Sequence, residues 1–515
     1  MKALMFKQTA LSAFVAVALA GCSLAPDYKR PDAPVSGTFP DQPKVQYGSY
    51  TNPMTLGTQP ADAVAPQTGT PAADLGWREF FRDARLQRLI ELALVNNRDL
   101  RVAVQRVEEA RAQYGVQRGA QWPSIGAGIQ GQRQRLPRNM RPGGPDSSSI
   151  SSSYQAGLGL TTFEIDLFGR LRNLSEAAYQ QYLSTEQAQK TTHITLIGSV
   201  AESYFNLRAA EVQLELTQRT LASRQESYNL VKRRFDGGVA SELDLNQSKS
   251  LLDTASADLA QLARAKAQAV NALVLVLGTP LPEDLPAPAV FGRDQLLASV
   301  PAGLPSDLLE RRPDILAAEN QLLSANANIG AARAAFFPTI SLTGNAGTAS
   351  ASLGGLFDGG SGAWSFVPQI TVPIFAGGSL LANLDLAKVQ KNIQVAQYEK
   401  SIQTGFREVA DALAGRGTLD EQIQAQQLLV SANQRAYDLS DQRFRQGIDD
   451  YLTVLDSQRS LYNAQQTLVN TRLTRLSNLV TLYKVLGGGW TERTVTAAQP
   501  ADGAAAPAAG QAQPG

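Results

Sequence analysis

One long stretch of the chain carries two hydrophobic stripes where an ordinary bundle helix carries one. Residues 171–235 contain no proline, and as a single helix they would extend over about 100 Å. At about 100° per residue, Leu207 and Leu214 lie on one side of this helix while Val212 and Leu216 lie nearly opposite. A bundle helix needs one apolar stripe, but a helix in the wall of a cylinder needs one for each neighbour. The pattern therefore favours a wall helix.

The two flanks between these stripes differ in charge. One flank collects charged side chains, namely Arg208, Glu211, Glu215 and Arg219. The other collects uncharged polar side chains, namely Asn206, Gln213 and Thr217. We expect one flank to face the exterior and the other a lumen, and the pattern does not decide which.

Elsewhere the hydrophobic period changes from that of a helix to two, the period of a strand. Alternation occurs within residues 122–168, where a polar Pro/Gly/Ser-rich loop interrupts it. It returns within residues 338–376, around a Gly/Ser loop predicted at 347–362, and after that loop it continues to Val372 and Ile374. Each region is predicted to form two strands with one apolar and one polar face. That pattern is typical of strands that face lipid on one side.

The chain contains an internal duplication. Residues 437–461 repeat residues 228–252 at an offset of 209 (437 − 228), and both copies predict a helix, a break at a glycine and a returning helix. The glycines are Gly238 and Gly447, which suit the left-handed conformation of a helix stop. A Trp122-Pro123 pair is likewise repeated as Phe337-Pro338. The chain is therefore predicted to be two similar halves.

These patterns divide the chain into six predicted segments. In order they are a signal peptide at 1–21, a lipidated extended strap at 22–75, a first repeat at 76–279, a Pro-rich linker at 280–305, a second repeat at 306–490, and a disordered tail at 491–515.

Four strands cannot close a barrel, and an open sheet edge is not tolerated in lipid. The smallest bacterial barrels have about eight strands, so the barrel is predicted to be shared between chains. Three copies would supply about twelve strands. The predicted fold class is thus an α+β membrane protein, a trimeric 12-stranded β-barrel continuous with a long periplasmic α-helical barrel.

The N-terminus predicts a lipid anchor in the outer membrane. Lys2 and Lys7 precede an apolar run that is too short to span a membrane and ends in Leu19-Ala20-Gly21-Cys22. This ending resembles a bacterial lipobox, and Cys22 is the chain's only cysteine. We predict that Cys22 is acylated, and Ser23 after it resembles the signal for outer-membrane sorting in a Gram-negative bacterium.

Composition argues against several other functions. The chain has 47 Lys and Arg against 46 Asp and Glu, so it lacks the basic footprint of a nucleic-acid-binding protein. With one Cys and one His, neither a catalytic triad nor a zinc cluster is easily assembled. We predict no enzyme activity, no catalytic residue, no cofactor and no bound metal. His193 is interpreted as structural or solvent-facing, and Asp449-Asp450 as acids favoured at a helix N-terminus rather than metal ligands.

Several motifs together resemble the outer-membrane efflux factors of tripartite drug pumps, the TolC/OprM-like family. They are the lipobox, the segment at 76–103, the WPSI and FPTI repeat, DLFGRLRN at 166–173, and RQGIDDYLTVLDSQRSLYNAQ at 445–465. The resemblance covers about residues 75–490. It implies a homotrimeric exit duct in outer-membrane lipid that serves a periplasmic adaptor and an inner-membrane resistance-nodulation-division pump. Substrates would be drugs or other small toxic compounds.

The resemblance also locates a gate on the helix after the second glycine break. It implies a hydrophobic constriction at Leu452, a carboxylate ring at Asp456, and Arg459 as countercharge to Asp456 or to a neighbouring chain. These residues share a helix face at i,i+4 and i,i+3 spacing. Asp244 in the first hairpin is a weaker candidate, as a latch. Gly238 and Gly447 would form the turns and an adaptor-docking surface.

Three alternatives to a drug-efflux duct stay open from the sequence. The first is a duct for type I protein secretion or for metal-ion efflux. The second is a non-channel helical lipoprotein adaptor, against which the alternating strands argue. The third is a secreted enzyme such as a glycosidase, against which the low aromatic content and the long helices argue.

Overall fold

A computed structural model describes residues 23–40, 70–141, 144, 146, 148–292, 295–297, 301, 303 and 305–494. Cys22, the predicted signal peptide, residues 41–69 and most of the predicted tail lie outside this described part. The described residues within 1–34, 103–189 and 314–402 form one compact unit, and those within 35–102, 190–313 and 403–515 form another.

The fold is mostly helical with one small sheet, as the sequence predicts. The helices are α1 Trp77–Phe80, α2 Ala84–Asn96, α3 Arg98–Gly119, α4 Arg170–Asp236, α5 Glu242–Leu277, α6 Asp307–Arg311, α7 Pro313–Ala334, α8 Ser379–Arg445 and α9 Tyr451–Val485. The strands are β1 Ser124–Arg135, β2 Ile150–Ile165, β3 Thr339–Ser350 and β4 Gly362–Thr371. None of these helices combines the length and the apolar composition that a membrane-spanning helix requires.

The duplication in the sequence is a duplication of elements. Helices α4 and α8 have 67 residues each, and both their first and last residues differ by 209 (379 − 170 and 445 − 236). Strands β1 and β3 have 12 residues each. The two halves differ in their other strands, because β2 has 16 residues whereas β4 has 10.

The four described strands form one antiparallel sheet in the order β1-β2-β3-β4. One row across it contains Ala127, Leu158, Ala346 and Trp364 as successive partners. A neighbouring row contains Gly126, Gly159, Asn345 and Ser365, and the Ser365 hydroxyl donates to Asn345 Oδ1 at 3.1 Å. Because side chains alternate across a strand, the sheet has one apolar and one polar face.

Two strand boundaries differ from the predicted ones. The alternation suggested that β4 continues to Val372 and Ile374, but β4 ends at Thr371, because Pro373 has no N–H for the ladder. The Gly/Ser loop was expected from Gly347 onwards, but β3 continues to Ser350, since Gly347 and Thr348 pair with Gly157 and Ala156 of β2.

The segment that follows Cys22 is extended and bound to α7. The Arg30 guanidinium donates to both carboxylate oxygens of Glu319 at 2.8 and 2.9 Å, and the Tyr28 hydroxyl donates to Glu319 Oε1 at 3.0 Å. Gly330 is required beneath this segment, because a Cβ there would lie 2.7 Å from the Ala25 nitrogen. The described part of the predicted strap is therefore held by specific contacts.

In the other unit, α1 and α9 share an aromatic core. Phe80 and Tyr483 stack with ring centroids 4.0 Å apart, and Phe81 meets the same tyrosine edge-on. The Tyr483 hydroxyl donates to the Leu75 carbonyl at 2.6 Å. These rings are almost fully buried and anchor the C-terminal end of α9.

The predicted tail at 491–515 begins too early. The Trp77 amide donates to the Thr491 carbonyl at 3.0 Å, and Arg78 pairs with Glu492 at 2.6 Å. Residues 491–494 are therefore bound to the start of α1, because their backbone satisfies amides that have no partner within that helix.

One predicted solvent-facing position on α4 is buried. Thr217, placed on the uncharged flank, is fully buried and shares a hydrogen bond of 2.8 Å with the Tyr462 hydroxyl of α9. Gln213 on the same flank donates to Asn470 of α9 at 2.6 Å. At these positions the flank packs against a neighbouring helix, because polar side chains of α9 supply partners that periodicity alone cannot reveal.

Candidate functional site

The two hairpin turns are built by the same backbone motif. Gly238 and Gly447 have φ of 72° and 76°, as predicted for left-handed helix stops. The Val239 amide donates to the Arg234 carbonyl at 2.8 Å, and the Ile448 amide donates to the Arg443 carbonyl at 3.0 Å. These bonds satisfy the last carbonyls of α4 and α8. A Cβ on either glycine would meet nothing within 4 Å, so the glycine requirement is purely conformational.

Beyond the first turn, α5 begins with a capping box. Ser241 Oγ accepts from the Asp244 amide at 3.1 Å, while Asp244 Oδ2 accepts from the Ser241 amide at 3.1 Å and from its hydroxyl at 2.8 Å. The structure thus uses the Asp244 carboxylate to start its own helix. No hydrogen bond or ion pair from Asp244 to another helix is present among the described residues, although its carboxylate lies near enough to Tyr451 of α9 to help raise the pKa of that hydroxyl. The latch stays a prediction.

Beyond the second turn, Asp449 and Asp450 have different partners. Asp450 caps α9 and accepts from the Thr453 amide at 3.2 Å. Asp449 takes a two-pronged ion pair from Arg443, with Nε–Oδ2 at 2.6 Å and Nη2–Oδ1 at 2.8 Å. The hydrogen bonds from Arg443 hold the pKa of Asp449 below its ordinary value. No group of three or more potential metal-ligating side chains is present in the described structure.

An apolar cluster lies directly below the turns and receives side chains from all four long helices. Its buried members are Val231, Leu251, Phe444, Tyr451, Val454 and Leu455. Burial raises the pKa of Tyr451 to about 12, so its hydroxyl is neutral at physiological pH. The cluster gives the hairpin ends a common core.

The three predicted gate residues lie on an exposed face of α9, beside the buried face that carries this cluster. Leu452, Asp456 and Arg459 are all exposed, whereas Val454 and Leu455 are buried. The Leu452 side chain is 54% exposed. Asp456 and Arg459 form no ion pair within the described part of this chain.

A buried polar layer below the cluster was not predicted from the sequence. Arg224 is only 3% exposed, donates from Nη1 to the Leu251 carbonyl at 2.9 Å, and has its guanidinium 5.1 Å from the centre of the Tyr462 ring. Gln458, also buried, donates to the Ser223 hydroxyl at 3.2 Å. Burial lowers the pKa of Arg224.

The sequence contains only a spacing that relates Arg224 to buried positions. Arg224 is seven residues from Thr217 and seven from Val231, and both of these are fully buried. Seven residues are close to two helical turns, so the three side chains share a face. This spacing identifies Arg224 as buried only once the structure shows that Thr217 is buried, because the sequence alone places Thr217 on the polar flank.

His193, the only histidine in the chain, lies away from the turns. Its ring meets Trp490 edge-on at 5.0 Å, and the Lys190 ammonium lies 5.6 Å from the same indole. Burial lowers the pKa of His193 below its ordinary 6.5. The predicted lipidation residue, Cys22, lies outside the described residues.

A sheet with one apolar and one polar face, joined to paired helices of 67 residues, is typical of outer-membrane channels. The sequence matches the family described as "Outer membrane efflux protein" over residues 89–279 and 304–488. The chain therefore belongs to the outer membrane efflux protein family. It is an outer-membrane component of an efflux pump.

Individual relatives are similar to this chain over nearly its whole length. It is 51% identical to the "Antibiotic efflux pump outer membrane protein ArpC" of Pseudomonas putida, over 96% of this chain and 97% of that protein. It is 49% identical to the "Solvent efflux pump outer membrane protein SrpC" of Pseudomonas putida, over 94% and 99%. The open-state structure of the MtrE outer membrane channel of Neisseria gonorrhoeae has a TM-score of 0.80 and 41% identity, covering 92% of this chain and all of that one.

Proposed function

We propose that three copies of this chain form one duct through the outer membrane and into the periplasm. The observation that carries this proposal is the sheet, which places the apolar row Ala127–Leu158–Ala346–Trp364 on one face and the polar row Gly126–Gly159–Asn345–Ser365 on the other. Four strands leave β1 and β4 as open edges, and edges in lipid must be paired. A trimer pairs them in a barrel of about twelve strands.

The duct has its gate at the hairpin ends. Three-fold symmetry turns every lumen-facing side chain into a ring of three, and the exposed Leu452 and Asp456 are the side chains that would line such a ring. Three leucines form an apolar constriction, and three carboxylates attract cations. Arg459, exposed on the same face, supplies countercharge across the chain boundary.

The transported compounds are small toxic molecules, and the duct takes them from a pump rather than selecting them. Antibiotics and organic solvents are favoured because relatives about half identical to this chain carry these substrates in their names. The partners are a periplasmic adaptor, docking around Gly238 and Gly447, and an inner-membrane resistance-nodulation-division pump. Acylation at Cys22 anchors each chain.

Single-channel recording in planar lipid bilayers tests the gate. Asp456→Ala removes one carboxylate from each copy, so cation selectivity falls and conductance changes relative to the wild type. Leu452→Ala widens the constriction and raises conductance. The matched control is Asp253→Ala on α5, an exposed aspartate that pairs only with Lys249 of its own helix at 3.0 Å.

Two results would overturn the proposal at different levels. If the wild type, Asp456→Ala and Asp253→Ala show equal conductance and selectivity, the assignment of Asp456 to the gate is contradicted. If the wild-type protein forms no channel and cross-linking yields no trimer, the proposal of a shared duct is contradicted. Susceptibility profiling of a deletion strain then identifies the substrates.

A further inference from the structure

The apolar face of β1 changes from apolar to positively charged residues at the end next to the loop. Odd-numbered residues of β1 lie on one face, and from the helix-side end they read Ile125, Ala127, Ile129, Gly131, Arg133 and Arg135. Ile125 and Ile129 are each more than 70% exposed, as expected for side chains that contact lipid. Arg133 and Arg135 continue this apolar row and do not belong to the polar face.

An aromatic side chain marks the boundary between the two parts of this row. Tyr154 pairs with Gly131 in the register, and a Cβ on Gly131 would lie 3.1 Å from the tyrosine ring. The ring therefore lies beside the bare backbone of Gly131. Aromatic residues girdle membrane barrels at the level where hydrocarbon gives way to headgroups.

Arg135 lies at the edge of the headgroup layer, and Arg133 lies about 5 Å deeper, a depth from which the long arginine side chain reaches the same layer. From Ile125 to Arg133 and Arg135 the strand rises about 26 and about 33 Å. At the usual strand tilt of about 40° this becomes about 20 and about 25 Å, against an apolar band about 25 Å tall. The loop after β1 lies at the end of the strands away from the helices, which is the outer leaflet in the proposed duct.

Neither arginine has a carboxylate partner within ion-pair distance among the described residues. At the other end of the sheet the arginines are neutralised, since Arg170 donates to Glu164 at 2.9 Å and Arg172 lies 3.6 Å from Asp166. In the loop, Arg138 pairs with Asp146 at 2.9 Å. Arg133 and Arg135 are therefore the described positive charges at this end that still lack a counterion on the lipid face.

We propose that Arg133 and Arg135 bind the phosphate groups of a phosphorylated glycolipid in the outer leaflet. The proposal rests on the proposed function, because it takes the apolar face of the sheet as the lipid-facing one. The two arginines project about 7 Å apart on one strand, and guanidinium groups bind phosphate oxygens through paired hydrogen bonds. Ser152, the register partner of Arg133, adds a hydroxyl donor on the same face.

Native mass spectrometry of the purified full-length protein tests this site. The probe is a glycolipid that carries two phosphates and several acyl chains, compared with the same glycolipid without phosphates and with inorganic phosphate alone. The double variant Arg133→Gln/Arg135→Gln is expected to bind the phosphorylated glycolipid about tenfold more weakly than the wild type. The single variant Arg135→Gln falls between the two, and Arg133→Lys/Arg135→Lys keeps most of the binding.

The matched control lies on the other face of the same strand. Gln132→Ala/Gln134→Ala changes two exposed polar residues of β1 that alternate with the arginines, and it is expected to leave glycolipid binding unchanged. Equal binding by the wild type and the double glutamine variant would overturn the proposal. So would an equal loss in the control, or binding of inorganic phosphate or of the phosphate-free glycolipid as tight as that of the phosphorylated one.

Conductance separates this proposal from the proposed function. Wild type and Arg133→Gln/Arg135→Gln are expected to conduct equally, because the substitutions lie outside the gate. If the wild type conducts and the double glutamine variant binds the phosphorylated glycolipid as tightly as the wild type, only the phosphate site is contradicted. A wild-type protein that forms no channel contradicts the duct, whatever its lipid binding.

Discussion

The Arg234 guanidinium joins the two hairpins through the Phe444 residue. Its Nη1 donates to the Phe444 carbonyl at 3.0 Å, and its carbon lies 4.5 Å from the centre of the Phe444 ring. Arg234 belongs to the first repeat, and its counterpart in the second, Arg443, instead pairs with Asp449 within its own turn. The position matching Asp449 in the first repeat is Ala240, so Arg234 is free of a local acid and reaches across.

Loss of this link is expected to favour the open channel. Arg234→Ala removes a hydrogen bond and a cation–π contact, together worth about 1–2 kcal/mol. We expect the link to break when the channel opens, so that its loss removes a contribution made to the closed state alone. A change of about 1.4 kcal/mol then shifts the closed–open equilibrium about tenfold, and openings in planar bilayers should become about tenfold more frequent. The control is Arg233→Ala, an exposed neighbour on α4. The same opening frequency in both variants would contradict the link.

Arg224 is expected to stabilise the protein through the volume that its side chain fills more than through its charge. Arg224→Ala leaves a cavity and removes the second hydrogen bond to the Leu251 carbonyl, which lies inside α5, and should destabilise the protein by about 2–3 kcal/mol. Arg224→Met fills the same space without a buried charge and should cost less than about 1 kcal/mol.

Thermal unfolding midpoints in detergent measure this difference. The control Arg219→Ala, at a side chain that is 70% exposed, should stay within about 0.5 kcal/mol of the wild type. If Arg224→Met is as unstable as Arg224→Ala, the buried charge itself holds the helices together.

Substitution of the turn glycines is expected to destabilise the protein, and the cause is the backbone conformation alone. Gly447→Ala forces a Cβ into a left-handed conformation at a cost of about 1–2 kcal/mol, while Gly447→Asn should cost less. Gly115 also has open space around it but lies inside α3 without a positive φ, so Gly115→Ala should stabilise by about 0.5–1 kcal/mol. Thermal midpoints that shift in the same direction for both alanine variants would contradict this explanation.

His193 is expected to make stability depend on pH in the weakly acidic range. Because burial lowers its pKa below 6.5, the unfolded chain takes up a proton as the pH falls through that value while the folded chain does not. Stability should therefore decrease from about pH 7.5 to about pH 5.5, by up to about 1.4 kcal/mol per unit. Thermal midpoints measured at several pH values should lose this slope in His193→Gln, and an unchanged slope would exclude His193 as its source.

Much of the fold followed from patterns within the sequence. The stops at Gly238 and Gly447 could be placed because few other residues adopt a positive φ. Two-residue alternation located the sheet, although Pro373 ended β4 earlier than the apolar residues suggested. Of the site, the spacing of Leu452, Asp456 and Arg459 implied that they share a face of α9, while their role as a gate is a prediction.

The sequence by itself determined the elements, because helix stops, strand alternation and the repeat are local properties of neighbouring residues. Only the tertiary structure decided which polar side chains are enclosed and which face out. Thr217 and Arg224 carry the same polar signal as exposed residues, and they are buried because Tyr462 and the Leu251 carbonyl, distant in the chain, lie beside them. Such partners are set by packing between helices, which no local pattern records.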